Sequence, residues 1–444
     1  MSWADEYLKK VEQQIRVKRI RGTLTDELRD HMELQKADFM EEGLSEAEAG
    51  RRTIEEMGDA LLVGGELDRV HRPKPQWKGI LLALLLMLIG MLLRTVFTPD
   101  GQAQPIDLKQ CAGVCIAIGA ILLLGLIDYV HWIRWAVPLT AAWGVLLVLK
   151  IIDGPNAIVY YLSSSLHATA SIHALMLVTI EHVALAAPIL TGLMIGRKRG
   201  GGWAAFAASL SIPVMTFLLG LSYTWDYYTP HTVMLMALLC IALLMLAVRK
   251  GFFSIRRSGA YAVLGGLTAA ILFVLIFISA HTDPSMQARY WEKFVYPLLR
   301  QAKMLGSGRV DIELLGRMDE LYSADLLLPF IIYRFGWIPF AALTAMVVGT
   351  LIWAGRKFAR MENRIGSMLG MSCMLTLALQ ELLYYVHCFT VFNWPLGLPL
   401  ISYGTIVLWV DAAMVGMILS VLRGETLPEG TGEEKKKFGR GIAA

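Results

Sequence analysis

The segment 282–325 is rich in both acidic and basic residues and ends at Asp325, immediately before a long apolar run. It contains seven acidic residues and six basic ones, which are Arg289, Lys293, Arg300, Lys303, Arg309 and Arg317. Clustered guanidinium and ammonium groups suit a pyrophosphate or another anionic headgroup, because they donate charge-assisted hydrogen bonds to phosphate oxygens. The segment therefore predicts an anion-binding site; a solvated loop without a ligand is the alternative.

Arg334 lies nine residues after Asp325, inside the apolar run. A charge within a membrane helix costs roughly 2.5–3.5 kcal/mol on insertion scales, so such a residue usually faces a partner or a water-filled cavity. A rise of about 1.5 Å per residue places Arg334 and Asp411 at the same depth from the outer surface. We therefore predict an intramembrane ion pair between them, with Glu381 as the competing partner. Snorkelling of Arg334 toward the outer headgroups is the alternative.

The composition shows why these charges stand out. Of 444 residues, 56% are hydrophobic and 18% are charged, which is typical of a polytopic membrane protein. Ten apolar runs are long enough to cross about 30 Å of hydrocarbon, namely 79–97, 111–129, 133–152, 171–196, 203–223, 230–248, 260–281, 326–354, 367–392 and 404–422. The sequence predicts an all-α fold of ten transmembrane helices preceded by a small cytoplasmic helical domain.

Basic residues are distributed unevenly among the connections between these runs. The connections 197–199, 249–257 and 356–364 are rich in Lys and Arg, whereas 153–170 and 393–403 contain none. Lys and Arg concentrate in cytoplasmic loops. Both termini are therefore predicted to be cytoplasmic, and the long charged segment is predicted to be external.

Three regions follow from these patterns. They are a cytoplasmic helical prefix domain over 1–73, a membrane domain over 78–423 and a basic cytoplasmic tail over 424–444. The prefix resembles the small helical permease-prefix domain that precedes some bacterial membrane proteins, and a generic cytoplasmic helical tail is the alternative.

Helix boundaries within the prefix can be predicted from its capping residues. Thr25 is a candidate N-cap for a helix that ends at Gly43. Ser45 and Glu48 have capping-box spacing, which predicts a second helix that ends at Gly58.

The stretch GLPLISYG, residues 397–404, immediately precedes the last apolar run. It resembles the P-L-P-F-[IVL]-S-Y-G-G signature of the bacterial SEDS family (FtsW, RodA and SpoVE), with Ser402 and Tyr403 in register. Gln380 and Gly416 match a glutamine and a glycine of that family in spans nine and ten. The family also has ten spans, cytoplasmic termini and a large external loop between spans seven and eight.

The resemblance implies a glycosyltransferase of the bacterial plasma membrane that polymerises lipid II beside a class B penicillin-binding protein. Asp325 corresponds to the family's essential aspartate, so it is expected to be the base that activates the acceptor hydroxyl. The residues expected to bind the substrate and its leaving pyrophosphate are Arg289, Arg300, Lys303, Arg309, Ser402 and Tyr403. No cofactor is firmly implied, and a divalent cation (Mg²⁺ or Mn²⁺) that shares the charge neutralisation is left open.

The sequence also departs from the family pattern. Ser323 replaces the histidine before the aspartate, Tyr333 and Arg334 replace an acidic pair, and Thr405 replaces the last glycine of the signature. Two other functions therefore stay open. One is a non-catalytic relative that binds precursor or a partner synthase in cell shape, division or sporulation. The other is a transporter of a lipid-linked anionic substrate. The expected surroundings are membrane lipids, and no nucleic-acid partner is expected.

Overall fold

The structure, a computed structural model, describes residues 4–71, 75–96, 108–153, 180–222, 229–281, 291–308, 327–390, 397–401 and 405–424. Within these ranges the chain is helical and contains no β-strand, which confirms the predicted all-α fold. The chain divides into two compact units, one formed by residues 1–75 with 423–444 and the other by residues 76–422.

The described part of the first unit contains four helices. They are α1 (Asp5–Gln14), α2 (Lys18–Glu41), α3 (Glu46–Met57) and α4 (Ala60–His71). Their apolar faces form a core whose buried members include Leu8, Val11, Ile15, Ile20, Leu24 and Met32. At its edge the carboxylate of Asp68 on α4 accepts a hydrogen bond of 2.8 Å from the backbone N–H of Arg16, which ties α4 to the end of α1.

The predicted capping box is present at the start of α3. The Ser45 hydroxyl accepts a hydrogen bond from the Glu48 N–H, and the Glu48 carboxylate accepts one from the Ser45 N–H. These bonds satisfy backbone donors that the first helical turn leaves free. Gly58 ends the helix with φ of +78°, as predicted.

The predicted N-cap at Thr25 is wrong. Helix α2 begins seven residues earlier, at Lys18, and the Thr25 hydroxyl donates a 2.9 Å hydrogen bond to the Arg21 carbonyl inside the helix. Ile20 and Leu24 are buried in the core of the unit, and their burial favours an extra helical segment that capping preferences alone do not predict.

The second unit contains the apolar helices. They are α5 (Trp77–Val96), α6 (Leu108–Leu126), α7 (Tyr129–Arg134), α8 (Ala136–Asp153), α9 (Ile180–Arg197), α10 (Trp203–Ser222), α11 (Thr229–Arg249), α12 (Arg257–His281), a π-helical turn (Trp291–Val295), α13 (Tyr296–Gln301), α14 (Leu327–Phe335), α15 (Trp337–Arg360), α16 (Arg364–Phe389) and α17 (Thr405–Arg423). Five of them, α10, α11, α12, α15 and α16, are long and apolar enough to cross a membrane, and α5, α6, α8 and α9 contain shorter apolar stretches. Each predicted run thus contains an apolar helix, and the chain is a multi-pass membrane protein.

The eighth predicted run, 326–354, is not one helix. It is divided at Gly336, where φ is +103°, into the short helix α14 and the long helix α15. Four backbone hydrogen bonds join this junction to residues 303–308, including Gly306 N–H to the Phe335 carbonyl and Trp337 N–H to the Lys303 carbonyl. The break leaves backbone N–H and C=O groups without helical partners, and these hydrogen bonds satisfy them. Buried backbone polar groups need such partners.

The division at Gly336 changes the position of Arg334. This residue lies in the last turn of α14, before the long helix begins, and its side chain is exposed. The prediction that Arg334 lies within a membrane-crossing helix is therefore corrected: the residue precedes the spanning helix α15.

The two hydroxyl residues of the prefix provide a matched test of the capping analysis. Replacing Ser45 by Ala should destabilise the first unit by about 1 kcal/mol, because it removes an N-cap. Replacing Thr25 by Ala should not destabilise it, because Ala has the higher helix propensity in a helix interior. Hydrogen exchange of α2 and α3 amides in the full-length protein should be about fivefold faster for Ser45→Ala only. Equal protection in both variants would contradict the assignment.

The junction between α14 and α15 should depend on glycine at position 336. A Cβ there would lie 2.7 Å from the Met304 carbonyl oxygen and 2.8 Å from Leu305 Cα, and the positive φ adds about 1–2 kcal/mol of strain for a non-glycine residue. Gly336→Ala should therefore lower the midpoint of thermal unfolding by several degrees. The control is Gly349→Ala on α15, where a Cβ meets nothing within 4 Å; this variant should be neutral or stabilising.

Candidate functional site

Polar side chains anchor a buried turn formed by residues 397–401. Asp411 on α17 accepts hydrogen bonds through Oδ2 from the Leu400 backbone N–H at 3.1 Å and from Gln380 Nε2 at 3.4 Å. Gln380 on α16 also donates a 2.9 Å bond to the Gly397 carbonyl. Leu400 has φ of +62°, a left-handed conformation that is unfavourable for leucine and persists only where surrounding contacts impose it.

The anchored turn is enclosed by other membrane helices. Leu398 and Ile401 are each 1% exposed, and a side chain at Gly90 on α5 would collide with the Ile401 carbonyl. Gly416 on α17 packs closely against α6, where an added Cβ would lie 3.2 Å from the Ala120 carbonyl oxygen. The signature residues Gly397–Ile401 are thus folded into the interior of the helix bundle.

Among the residues that the structure describes, several oxygen atoms around this turn are buried and have no hydrogen-bond partner. They are Asp411 Oδ1, Gln380 Oε1 and both carboxylate oxygens of Glu381. Glu381 lies near Tyr385, and the Tyr385 hydroxyl forms a 2.7 Å hydrogen bond with the Thr344 hydroxyl. Buried acceptors without donors are costly, so this cluster is a place where a proton or a hydrogen-bond donor would be stabilising.

The predicted ion pair of Arg334 is not formed in the structure. Asp411 is 1% exposed and Glu381 is 3% exposed, whereas the Arg334 side chain is exposed at the end of α14. Among the residues that the structure describes, the hydrogen-bonding groups at Asp411 are an amide side chain and a backbone N–H rather than a guanidinium. The break at Gly336 is the physical reason, because it removes Arg334 from the depth that a continuous helix would give it.

A second anchor holds the start of α14. The Leu327 backbone N–H donates a 3.1 Å hydrogen bond to Tyr384 Oη, and Tyr384 is fully buried on α16. Sequence reasoning did not identify Tyr384. Tyr384 could have been identified from the spacing of Gln380, Glu381, Tyr384 and Tyr385. Polar groups at i and i+4 on an apolar helix lie on one face.

The structure describes some of the predicted site residues and not others. Asp325, Arg289, Arg309, Ser402 and Tyr403 lie outside the described residues. Arg300 and Lys303 are both exposed, and Lys303 is hydrogen-bonded through its carbonyl to the junction that follows Arg334. Lys303 is thus exposed in the segment whose backbone bonds to the residues on either side of Arg334. Within the described ranges, no group of three or more His, Cys, Asp or Glu residues could hold a metal ion.

The anchor of the 397–401 turn leads to a prediction for Asp411. Asp411→Asn should be tolerated, because an amide oxygen still accepts the Leu400 N–H while the new N–H₂ group supplies the donor that the cluster lacks. Asp411→Val should destabilise the protein by about 1–3 kcal/mol, because it leaves the buried Leu400 N–H without an acceptor. The midpoint of thermal unfolding in detergent measures both changes. Arg334→Gln is the control and should have little effect, because the side chain is exposed; a large loss there would restore a structural role for Arg334.

No protein-family model matches the sequence, and no curated protein matches it. Solved structures do have a similar fold. The Thermus thermophilus rod-shape-determining protein RodA is 15% identical, with a TM-score of 0.48 over 79% of this chain and 97% of RodA. An aspartate-to-alanine mutant of the same protein is 14% identical, with a TM-score of 0.49 over 79% of this chain and 98% of that one.

A third structure belongs to a peptidoglycan synthase complex that coordinates polymerization and crosslinking. Its matching chain is 15% identical, with a TM-score of 0.51 over 79% of this chain and 98% of that chain. At such low identity the likeness concerns the fold alone. The chain therefore shares its polytopic helical fold with this chain of a peptidoglycan synthase complex.

Proposed function

We propose that this protein is a divergent SEDS-type peptidoglycan glycosyltransferase that polymerises lipid II at the outer face of the bacterial plasma membrane. The observation that carries the proposal is the fold shared with a chain of a peptidoglycan synthase complex across 79% of this sequence. The GLPLISYG stretch supports it, because its first residues form the buried turn that Asp411 and Gln380 anchor.

The proposed reaction assigns one chemical task to Asp325. The acceptor sugar hydroxyl attacks the anomeric carbon of the donor, its proton passes to the Asp325 carboxylate, and the bond to the lipid pyrophosphate breaks. Asp325 precedes Leu327 by two residues, and the Leu327 N–H is fixed to Tyr384 of α16. A rigid attachment so near in the chain is what positioning of a general base requires.

The leaving pyrophosphate needs positive charge as it departs. Arg289, Arg300, Lys303 and Arg309 are the proposed ligands, and we add Arg334 because it is exposed beside the hydrogen-bonded 303–308 segment. An arginine suits this role, since its planar guanidinium binds phosphate oxygens in pairs. A divalent cation, Mg²⁺ or Mn²⁺, is proposed to share the neutralisation.

The proposed orientation has both termini in the cytoplasm, which places the basic connections inside and the 282–325 segment outside. The proposed partner is a class B penicillin-binding protein, since the comparable chain belongs to a complex that combines polymerization with crosslinking. Such a partner would link the glycan strands that this chain makes.

A polymerisation assay tests the proposal. The purified full-length protein, supplied with lipid II and Mn²⁺ or Mg²⁺, should form glycan chains. Asp325→Ala should lower the rate by roughly 10²–10⁴-fold, the range expected for loss of a general base. Glu292→Ala is the matched control, because Glu292 is another acid of the same external segment and is exposed; its rate should stay near that of the wild type.

Two outcomes would contradict the proposal in different ways. Full activity in Asp325→Ala would remove Asp325 from the mechanism. Tight lipid II binding by a wild-type protein that makes no polymer, even with its partner synthase, would favour the non-catalytic relative. Loss of activity in EDTA that Mn²⁺ restores would support the proposed cation, whereas activity unaffected by EDTA would exclude it.

A further inference from the structure

Three connections between membrane helices meet at one end of the second unit. The α9–α10 connection bonds to the α11–α12 connection, through Gly200 N–H to the Phe252 carbonyl at 2.8 Å and Ser254 N–H to the Gly201 carbonyl at 2.9 Å. The α15–α16 connection joins them, because the guanidinium of Arg364 donates to the Lys250 carbonyl at 3.5 Å. We call this surface the basic end and define it by residues 197–202, 249–257 and 356–364.

The basic end has a large excess of positive charge. It holds one acidic residue, Glu362, and eleven basic ones, which are Arg197, Lys198, Arg199, Arg249, Lys250, Arg256, Arg257, Arg356, Lys357, Arg360 and Arg364. These residues are scattered through the sequence, and the hydrogen bonds between the connections bring them together. The surface therefore attracts anions strongly.

Lys250 and Arg364 lie beside one another where the α11–α12 and α15–α16 connections meet. The Lys250 ammonium is half-buried and donates a 3.1 Å hydrogen bond to Ser367 Oγ, and Ser367 is fully buried. Burial first, and then the neighbouring charge of Arg364, lower the pKa of Lys250. Neither cation has an acidic partner within 4.0 Å among the described residues. Arg364 is also the first residue of α16, where the positive end of the helix dipole adds to the repulsion.

An anion between these two cations would relieve that repulsion. A phosphate group suits the site, because ammonium and guanidinium groups both donate charge-assisted hydrogen bonds to its oxygens. The surroundings favour a lipid phosphate over a free one. Trp203, which is 48% exposed, begins α10 beside the basic end and packs against Gly259 near the start of α12, and exposed tryptophans of membrane helices typically lie at the headgroup level.

We propose that Lys250 and Arg364 form a binding site for the phosphate of an anionic phospholipid headgroup, with Ser367 orienting the Lys250 ammonium and Trp203 at the boundary of the acyl chains. The site is independent of the proposed glycosyl transfer, because it involves none of the residues assigned to that reaction. It would fix this end of the bundle at a defined depth in an anionic leaflet.

Nanodiscs of defined composition test the proposal with the full-length protein. In phosphatidylcholine discs, stepwise addition of phosphatidylglycerol should raise the midpoint of thermal unfolding of the wild type in a saturable manner. The double variant Lys250→Gln, Arg364→Gln should require roughly 10- to 30-fold more phosphatidylglycerol for the same shift, because it loses direct charge-assisted hydrogen bonds to the phosphate as well as charge. Lys250→Arg should retain most of the wild-type response.

Matched controls separate a specific site from general attraction. Arg256→Gln with Arg257→Gln removes the same charge from exposed positions of the basic end and should change the response by less than about threefold. An equally reduced response to phosphatidylglycerol in both double variants would overturn the proposal of a specific site. Inorganic phosphate added to pure phosphatidylcholine discs should have little effect, and a full shift there would overturn the lipid assignment. If the first double variant is unfolded in phosphatidylcholine, the single variant Arg364→Gln, whose side chain is exposed, decides the question by the same titration.

Discussion

The architecture of the membrane unit depends on polar anchoring of backbone within an apolar interior. A non-helical segment at membrane depth is tolerated only where protein satisfies its N–H and C=O groups. Residues 397–401 are such a segment, and Asp411 and Gln380 supply their partners from two different helices. The signature stretch is thereby held inside the bundle with a left-handed Leu400. A purely apolar pair of helices would leave these groups unsatisfied.

The same requirement explains how residues 303–308 join the bundle. Breaking the eighth apolar run at Gly336 frees backbone groups, and residues 303–308 accept and donate the missing hydrogen bonds. Leu298 and the buried face of α14 then enter one apolar cluster with the anchored turn. Tyr384 of α16 fixes the first N–H of α14. The elements that flank the proposed catalytic aspartate and those that carry the signature therefore converge on α16.

Charge is separated within the membrane unit. The buried acids Glu381 and Asp411 lie inside, whereas Arg334, Lys303 and the Lys and Arg residues of the basic end are exposed or half-buried. This arrangement avoids the cost of buried cations and leaves the positive charge where anionic groups can reach it. The proposed glycosyl transfer uses cations near the 303–308 segment, and the proposed lipid site uses cations at the ends of α11 and α16. Both proposals depend on recognition of phosphate, at separate places in the chain.

The sequence alone determined the class of fold, because long apolar runs can be satisfied in a membrane only as helices. It also predicted the Ser45–Glu48 capping box and the Gly58 terminus, since capping is a local interaction of a few neighbouring residues. The SEDS-like signature could also be recognised from the sequence, because it is a short contiguous stretch. The start of α2 was not predicted, because burial of Ile20 and Leu24 against other helices decides it. The end of α14, the exposure of Arg334 and the partners of Asp411 were decided only by tertiary structure. Each depends on contacts between residues that are distant in the sequence. Neither the periodicity of a helix nor an estimate of depth from its rise per residue predicts such contacts.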